Sequence, residues 1–322
     1  MKTLLDNMVG GLARLTGLAS LTGILARTSA IVMLLGAAWP AHAALKVLAT
    51  TPEWASLARE VGGEKVDVYA ATTAFQDPHR IEAKPSLLAR ARNASLVIAT
   101  GAQLEVGWLP ILLQESGNPR VQPGQPGYFE ATQQVRLLEV PTSVDRAMGD
   151  VHPLGNPHIH LDPHNIATVA QALSRRLAQI DAGNAAYYAQ RGSEFQTRWR
   201  EAMQRWDTQA AALQGVTVVV MHRDERYLSH WTGIRELASI EPKPGIPPSA
   251  GHLASLVNQL KASPPKMILR NAYNDPKAVT WLSEHVGAPV VLLPYTVGGT
   301  PEAKDLFGLF DDTLTRLQAG AK

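Results

Sequence analysis

Short apolar runs rich in Val and Ile recur along the chain, and helical patterns lie between them. The runs are continuous rather than alternating, which is typical of parallel strands that are buried on both faces of a sheet. The predicted strands are 45–49, 65–71, 95–100, 216–221, 266–269 and 289–293, and the predicted helices between them are 53–61, 85–92, 250–261 and 276–286. Strands that alternate with helices indicate an α/β fold with a mostly parallel sheet in each half of the chain.

A long helical stretch separates the two halves. Residues 165–213 contain no strand pattern, and the helical pattern is interrupted near 181–183. The second part places large side chains on one helix face, namely Tyr188, Phe195, Trp199, Trp206, Ala210 and Leu213. A helix of about 30 residues would be about 45 Å long. We therefore predict two α/β lobes, residues 44–182 and 214–322, joined by one long rigid helix over 183–213.

The first 43 residues have the layout of a secretory signal peptide. Three basic residues precede an uncharged apolar run over 30–39, and the small residues that suit a cleavage site follow at 41–43. The apolar run is short for a membrane span, and a membrane anchor is the alternative interpretation. We expect cleavage after Ala43. The long region before the apolar run leaves open a start at Met8 or at a later methionine.

Charge and cysteine content narrow the class of protein. Of 30 Lys and Arg and 28 Asp and Glu, three basic and one acidic residue lie in 1–43, so 27 of each remain. A formally neutral chain without a basic patch is not expected to bind nucleic acid. Because the chain has no cysteine, it has neither a disulfide framework nor a lipid-modified cysteine. We therefore expect a periplasmic monomer without a membrane anchor.

Histidines provide the candidate chemistry. Nine of the ten follow residue 43. His79, in Asp77-Pro78-His79, comes shortly after a predicted strand, and His222 ends the run 218–222. Ligands of open α/β sheets bind outside the carboxyl ends of strands. His158 lies in Asn156-Pro157-His158. A single histidine is more often structural, but three together favour a zinc site.

The order of these motifs resembles the zinc and manganese solute-binding proteins of ABC transporters. The matching elements are Asp77-Pro78-His79, the segment 156–163, the strand-terminal His222, and Asp305 in the segment 303–307. The resemblance covers about residues 45–317, and it implies two α/β lobes with a metal ion between them. It also implies four metal ligands, His79, His158, His222 and Asp305. The implied partner is the membrane permease of an ABC importer, and a periplasmic zinc chaperone is a further candidate.

Three positions bear on the metal and its ligands. The third ligand of this family is often Glu in manganese binders and His in zinc binders, so His222 favours Zn²⁺ over Mn²⁺ as the transported ion. Position 160 is usually aromatic in the family, whereas His160 here is an alternative or additional ligand to His158. His152 is a second auxiliary candidate. Residues 295–300 differ from the family pattern, and Asp305 is chosen for its spacing to the following helix.

The resemblance predicts a carrier rather than an enzyme, because four protein ligands leave no place on zinc for a reacting water. The alternative is a zinc-dependent hydrolase with three histidine ligands and Asp305 as the base. No catalytic motif such as His-Glu-x-x-His supports it. A manganese-binding homologue and a metal-dependent adhesin are weaker alternatives. Residues 117–155 are predicted to be mostly loop, and the proline-rich loop 241–248 is placed at the mouth of the cleft.

Overall fold

The computed structural model describes residues 43–143 and 152–322. The predicted signal peptide, residues 1–43, lies outside the described residues except for Ala43. Residues Ala44–Lys322 form one unit, to which the following description applies. Within the described residues, no helix is long and apolar enough to cross a membrane.

The first lobe is built on a sheet of four parallel strands. These are β1 (Leu45–Ala49), β2 (Val66–Ala70), β3 (Leu96–Ala99) and β4 (Tyr128–Glu130), arranged in the order β2-β1-β3-β4. Three helices follow strands of this sheet: α1 (Pro52–Gly62), α2 (Pro85–Asn93) and α3 (Leu109–Ser116). All three carry proline in their first turn, where the missing N–H is not needed.

Two helices connect the sheets, α4 (Pro163–Ile180) and α5 (Ala185–Ala211). The 27 residues of α5 correspond to about 40 Å of helix. The face predicted from sequence is buried along α5, since Tyr188, Phe195, Trp199 and Trp206 are fully buried. The rings of Trp199 and Trp206 pack edge to face with centroids 4.9 Å apart.

The second lobe repeats the topology of the first. Its strands are β5 (Thr217–Val220), β6 (Arg235–Ser239), β7 (Met267–Asn271) and β8 (Val290–Leu293), all parallel and in the order β6-β5-β7-β8. The helices are α6 (Arg226–Thr232), α7 (Ala250–Leu260), α8 (Pro276–Val286) and α9 (Leu306–Gly320). The predicted α/β fold of two lobes and one long connecting helix is therefore confirmed.

Each sheet has a core on both faces. Val47 and Val218 face a large cluster that also contains buried side chains of α1, α4, α5 and α9. Leu48 faces a separate cluster with α2 and α3, and Val219 faces one with α7 and α8. Burial on both faces explains why the strands are continuous apolar runs.

The six predicted strands and four predicted helices are present, with ends that differ by one or two residues. Strands β4 and β6 were not predicted from sequence. Both lie at the edge of their sheet, and β4 falls in the stretch 117–155 that was predicted to be mostly loop.

Candidate metal centre

Four histidines and one aspartate converge at one place in the structure. His79, His152 and His158 form one group, and His158, His222 and Asp224 form a second; within each group the ligand atoms all lie within 4.8 Å of one another. The ring centroids of His79, His158 and His222 are 5.7 to 6.0 Å apart. The three histidines predicted from sequence are therefore brought together.

The carboxyl ends of the second sheet supply much of this cluster. His222 lies two residues beyond the end of β5, and Asp224 lies in the 3-10 turn Arg223–Glu225. Glu241, Tyr273 and Tyr295 each lie two residues beyond the ends of β6, β7 and β8. This is the edge at which parallel α/β sheets bind ligands. His79 comes from the loop between β2 and α2 of the first lobe.

Asp77 orients His79. One carboxylate oxygen, Oδ1 of Asp77, accepts hydrogen bonds from the backbone N–H of His79 at 3.0 Å and from its Nδ1 at 2.7 Å. Burial raises the pKa of Asp77, but the hydrogen bonds and charge of His79 outweigh this and the net pKa is lowered. Asp77 therefore remains a carboxylate and leaves Nε2 of His79 to face the cluster.

Glu241 orients His222 in the same way. Its Oε2 lies 2.6 Å from Nδ1 of His222 and also accepts the backbone N–H of Gly245 at 2.8 Å. Burial lowers the pKa of His222, but the carboxylates of Asp224 and Glu241 outweigh it and raise the pKa to about 9. Metal-free His222 is therefore protonated at neutral pH, and Nε2 must lose its proton before it binds a metal.

His158 is the most deeply buried of the three, with 1% of its surface exposed. Its Nδ1 lies 2.9 Å from the hydroxyl of Tyr295, and its Nε2 lies 3.1 Å from Oδ1 of Asp224. Burial and the neighbouring histidines hold the pKa of His158 well below its usual value. His158 is therefore neutral, and it does not have to lose a positive charge before it binds a metal.

Asp224 was missed by the sequence interpretation. It is fully buried, and its Oδ2 accepts hydrogen bonds from Nδ2 of Asn271 at 2.8 Å and from the hydroxyl of Tyr273. Its Oδ1 has no hydrogen-bond partner and faces Nε2 of His158 at 3.1 Å and Nε2 of His222 at 3.7 Å. A buried carboxylate oxygen without a partner is costly, and a cation among the imidazoles would satisfy it. Its place just after a strand-terminal histidine was the available signal.

The other predicted ligands lie at different distances from the cluster. His152 belongs to it, since its Nε2 is 3.2 Å from Nε2 of His79 and the two rings stack. His160 belongs to neither ligand group, because its Nε2 bonds the carbonyl oxygen of Tyr295 at 3.0 Å. Asp305 is exposed and caps α9 by accepting the N–H of Gly308 at 2.8 Å. Asp305 therefore lies in neither ligand group of the described residues, whereas Asp224 lies in one.

A cavity of about 640 Å³ reaches this cluster from one side. His152, His158 and His222 lie on its wall, and residues 139–143 and 242–244 contribute to its lining. The proline-rich loop after β6 thus borders the cavity.

Solved structures share the fold. One described as the crystal structure of ZnuA matches with a TM-score of 0.70 and 22% identity, and the match covers 86% of this chain and 99% of that one. A manganese-bound periplasmic metal binding protein from Candidatus Liberibacter asiaticus matches with a TM-score of 0.69 and 18% identity, covering 85% and 98%.

Relatives by sequence carry the names of different metals. The iron ABC transporter substrate-binding lipoprotein MtsA of Streptococcus pyogenes serotype M1 is 21% identical over 253 residues, or 76% of this chain and 78% of MtsA. The manganese ABC transporter substrate-binding lipoprotein PsaA of Streptococcus mitis is 24% identical over 154 residues, or 47% of each chain.

A family model supplies the assignment. The model described as ZnuA, zinc-uptake complex component A, periplasmic, matches residues 47–320, which is most of the chain. The match includes both sheets, the connecting helix and every residue of the histidine cluster. The chain therefore belongs to this family of metal-binding, substrate-binding components of ABC transporters.

Proposed function

We propose that this protein binds a zinc ion between its lobes and delivers it to the membrane permease of an ABC importer. The observation that carries the proposal is the convergence of His79, His158, His222 and Asp224. Each imidazole has a partner at Nδ1, and its Nε2 lies near another member of the cluster. Ligands that are already oriented in this way suit tight binding.

Asp224 takes the place of Asp305 as the fourth ligand in this proposal. Four protein ligands complete the tetrahedron that zinc prefers in closed sites. His152 is the auxiliary donor: it is nearest to His79 and less deeply buried than His158. We infer that it contributes to capture at the mouth of the cavity, while His160 is not a ligand.

Zinc is the metal that the donor set favours. Imidazole nitrogen suits zinc, whereas manganese favours sites dominated by oxygen donors. Three imidazoles and one carboxylate therefore support zinc as the cargo. Competition between Zn²⁺ and Mn²⁺ for the purified protein measures the preference, and binding of Mn²⁺ as tightly as Zn²⁺ would contradict it.

A carrier also fits better than the zinc hydrolase. The base assigned to the hydrolase, Asp305, is exposed and engaged as a helix cap. In this proposal Asp224, the carboxylate that lies beside His158 and His222, is a ligand rather than a base. We propose a periplasmic monomer that acts without catalysis, with the permease as its partner and a zinc chaperone as a further candidate.

A pair of matched substitutions tests the ligand set. Asp224→Asn keeps the shape of the side chain and removes its charge, and we expect zinc affinity to fall by more than about 100-fold. Asp305→Asn keeps a good N-cap residue on α9, and we expect zinc affinity to stay unchanged. Affinity is measured by competition with a chelator of known strength. Loss of affinity in Asp305→Asn alone would reverse the assignment.

The coordination number provides an independent measurement. X-ray absorption on the zinc-loaded protein should show four light-atom ligands, with the signature of several imidazoles, and no bound water. A water in the first shell together with unimpaired binding by Asp224→Asn would favour the hydrolase. Failure of the wild-type protein to bind zinc would overturn the proposed function as a whole.

A further inference from the structure

A turn that follows β3, residues 101–108, lies against the loop that carries His79. Its first three residues, Gly101, Ala102 and Gln103, have φ values of 89°, 48° and 68°. Residues other than glycine remain in this left-handed region only where their surroundings hold them there. The turn is therefore fixed by contacts with the rest of the first lobe.

Glu105 supplies several of these contacts, and it is only 3% exposed. Its Oε1 accepts hydrogen bonds from the hydroxyl of Thr50 and the backbone N–H of Thr100, each at 2.7 Å, and its Oε2 accepts the N–H of Gly101 at 3.1 Å. Thr50 and Thr100 directly follow β1 and β3, the two central strands of the sheet. The Glu105 carboxylate therefore ties the turn to the carboxyl ends of these strands.

The last residues of the turn contact the backbone of the His79 loop. Trp108 is 3% exposed, and its indole Nε1–H donates to the carbonyl oxygen of Pro78 at 2.9 Å. The backbone of Gly107 comes so close that a Cβ there would lie 3.2 Å from the carbonyl oxygen of His79. The indole ring also belongs to the hydrophobic cluster of α2 and α3, against which Ile81 of the loop packs. The turn thus contacts the loop at the proposed ligand and at the residue before it.

These contacts differ in effect from those of Asp77. Asp77 bonds the backbone N–H and Nδ1 of His79 from within the same loop, so it orients the imidazole relative to the loop. It cannot fix the loop relative to the sheet, because it moves with the loop. The hydrogen bond from Trp108 comes from outside the loop, from a turn that Glu105 ties to the sheet. This bond therefore fixes the loop relative to the first sheet.

We propose that Trp108 is a positioning residue for zinc binding, which holds the loop through Pro78 so that His79 meets the other ligands. The inference rests on the proposed zinc site. His79 lies on a loop of the first lobe, whereas His222 and Asp224 follow β5 of the second. A displaced loop therefore changes the distances between His79 and these ligands. Trp108 acts through His79 and not on the ion.

Zinc affinity in a double-mutant cycle tests this role. Trp108→Phe keeps an aromatic ring in the cluster and removes the indole N–H, and we expect zinc affinity to fall by about 10-fold, as when a group behind a metal ligand is lost. In a His79→Ala background, where the loop has lost its ligand, the same change should alter affinity by less than about twofold. Chelators of graded strength measure all four proteins. An equal loss in both backgrounds would show that Trp108 does not act through His79.

Trp231→Phe is the control for loss of an indole N–H. Trp231 lies on α6, and its Nε1 donates to Oδ1 of Asp207 on α5 at 2.7 Å. This variant should bind zinc as the wild type does. If it loses as much affinity as Trp108→Phe, the effect is a general loss of stability and the positioning role is wrong.

The glycine of the turn provides a second variant, which decides if Trp108→Phe does not fold. Gly107→Ala places a methyl group against the carbonyl oxygen of His79, so the loop must shift and zinc affinity should fall. Its matched control is Gly251→Ala, where a Cβ would meet nothing within 4 Å, and this variant should bind zinc as the wild type does. Thermal unfolding of the metal-free variants shows which of them are folded.

Hydrogen exchange of the metal-free protein provides a measurement that does not depend on zinc. In Trp108→Phe the amides of residues 76–81 should exchange faster than in the wild type, whereas those of residues 156–163 should not change. Unchanged exchange of residues 76–81 would overturn the inference.

The outcomes separate the inference from the proposed function. If Trp108→Phe is folded and binds zinc as tightly as the wild type, the proposed function stands and the role of Trp108 is wrong. If the wild type does not bind zinc, the proposed function is wrong, whatever the exchange rates of the loop.

Discussion

At the scale of single residues, the cluster joins groups of opposite protonation behaviour. His158 is held neutral by burial, whereas His222 is held protonated by Asp224 and Glu241, with a pKa of about 9. The same carboxylate that would bind the metal thus stabilises a proton on a neighbouring ligand when metal is absent. Metal and proton compete for Nε2 of His222, so a higher proton concentration opposes metal binding.

Zinc affinity should therefore fall as the pH is lowered. Below about pH 9 metal-free His222 carries a proton that zinc must displace, so this group alone lowers the affinity about tenfold for each pH unit. The groups that face His222 and favour its proton are Asp224, Glu241 and Asp77. Chelator competition between about pH 8 and pH 6 measures the slope.

The control for this slope is Glu241→Gln. It removes one of the two main carboxylate contacts of His222, so the pKa of His222 should fall and the slope near pH 8 should become shallower. An affinity of the wild type that is constant across this range would contradict the assignment of His222 as a ligand.

The sequence could predict part of the site and not the rest, for physical reasons. His79 and His222 follow strand ends, and His158 lies in a recognisable motif, so their types and positions were informative. Asp224 lies in Arg223-Asp224-Glu225-Arg226, a charged run that by itself is typical of a solvated surface. Only the partners Asn271 and Tyr273, 47 and 49 residues further on, show that it is buried.

At the scale of elements, the contact between α4 and α5 depends on a residue without a side chain. A Cβ at Gly192 would come within 2.5 Å of Oγ and 2.9 Å of Cβ of Ser174. Ser174 is itself buried and donates to the carbonyl of Tyr188 at 2.8 Å. The two longest helices of the described chain therefore meet where α5 has no Cβ.

Gly192→Ala should destabilise the protein although alanine is the better helix former. The helix propensity gain is about 1 kcal/mol, and overpacking of a close contact costs about 1–3 kcal/mol, so we expect a net loss of free energy of unfolding. The control is Gly251→Ala on α7, where an added Cβ would meet nothing within 4 Å. That change should be neutral or stabilising. Denaturant unfolding measures the free energy of unfolding of both variants. Equal stabilisation by both would show that α4 and α5 can move apart without loss of stability.

The elements that the sequence did not predict have a common cause. β4 has three residues and β6 reads Arg-Glu-Leu-Ala-Ser, so neither is a continuous apolar run. Both are edge strands, and an edge strand need not be apolar along its whole length. β8 is an edge strand as well, but its Val290-Val291-Leu292-Leu293 run was apolar enough to be predicted. Pattern alone therefore predicts the central strands and the more apolar edge strands, and it misses an edge strand that is short or polar.

At the scale of the whole molecule, the two lobes share one core. A single hydrophobic cluster contains Val47 and Ile98 of the first sheet, Trp199 and Trp206 of α5, and Leu269 of the second sheet. Thr296, after β8, also donates to the buried Glu53 of α1 at 2.5 Å. Such a connection is stiffer than a pair of loops, so we expect metal release to depend on movement of a ligand-bearing loop rather than on a wide hinge.

The loop that carries His79 is the part best suited to such movement. It joins β2 to α2 and contains neither helix nor strand in the described chain. The remaining proposed ligands, His158, His222 and Asp224, contact one another or the strand ends of the second sheet. Zinc bound by His79 and by these three residues would therefore link the first lobe to the second at a point away from the shared core.

A shared core and a ligand between the lobes lead to a prediction about unfolding. The metal-free protein should unfold in one cooperative transition, since the largest hydrophobic cluster joins both sheets through α5. Zinc at about 100 times its dissociation constant should raise the free energy of unfolding by about 2.7 kcal/mol and the midpoint by about 5–10 °C, again in one transition. Calorimetry with and without zinc measures both, and Asp224→Asn should keep the single transition and lose most of the shift. Two separate transitions, with zinc raising only one of them, would show that the lobes are independent and that the ion is held by one lobe alone.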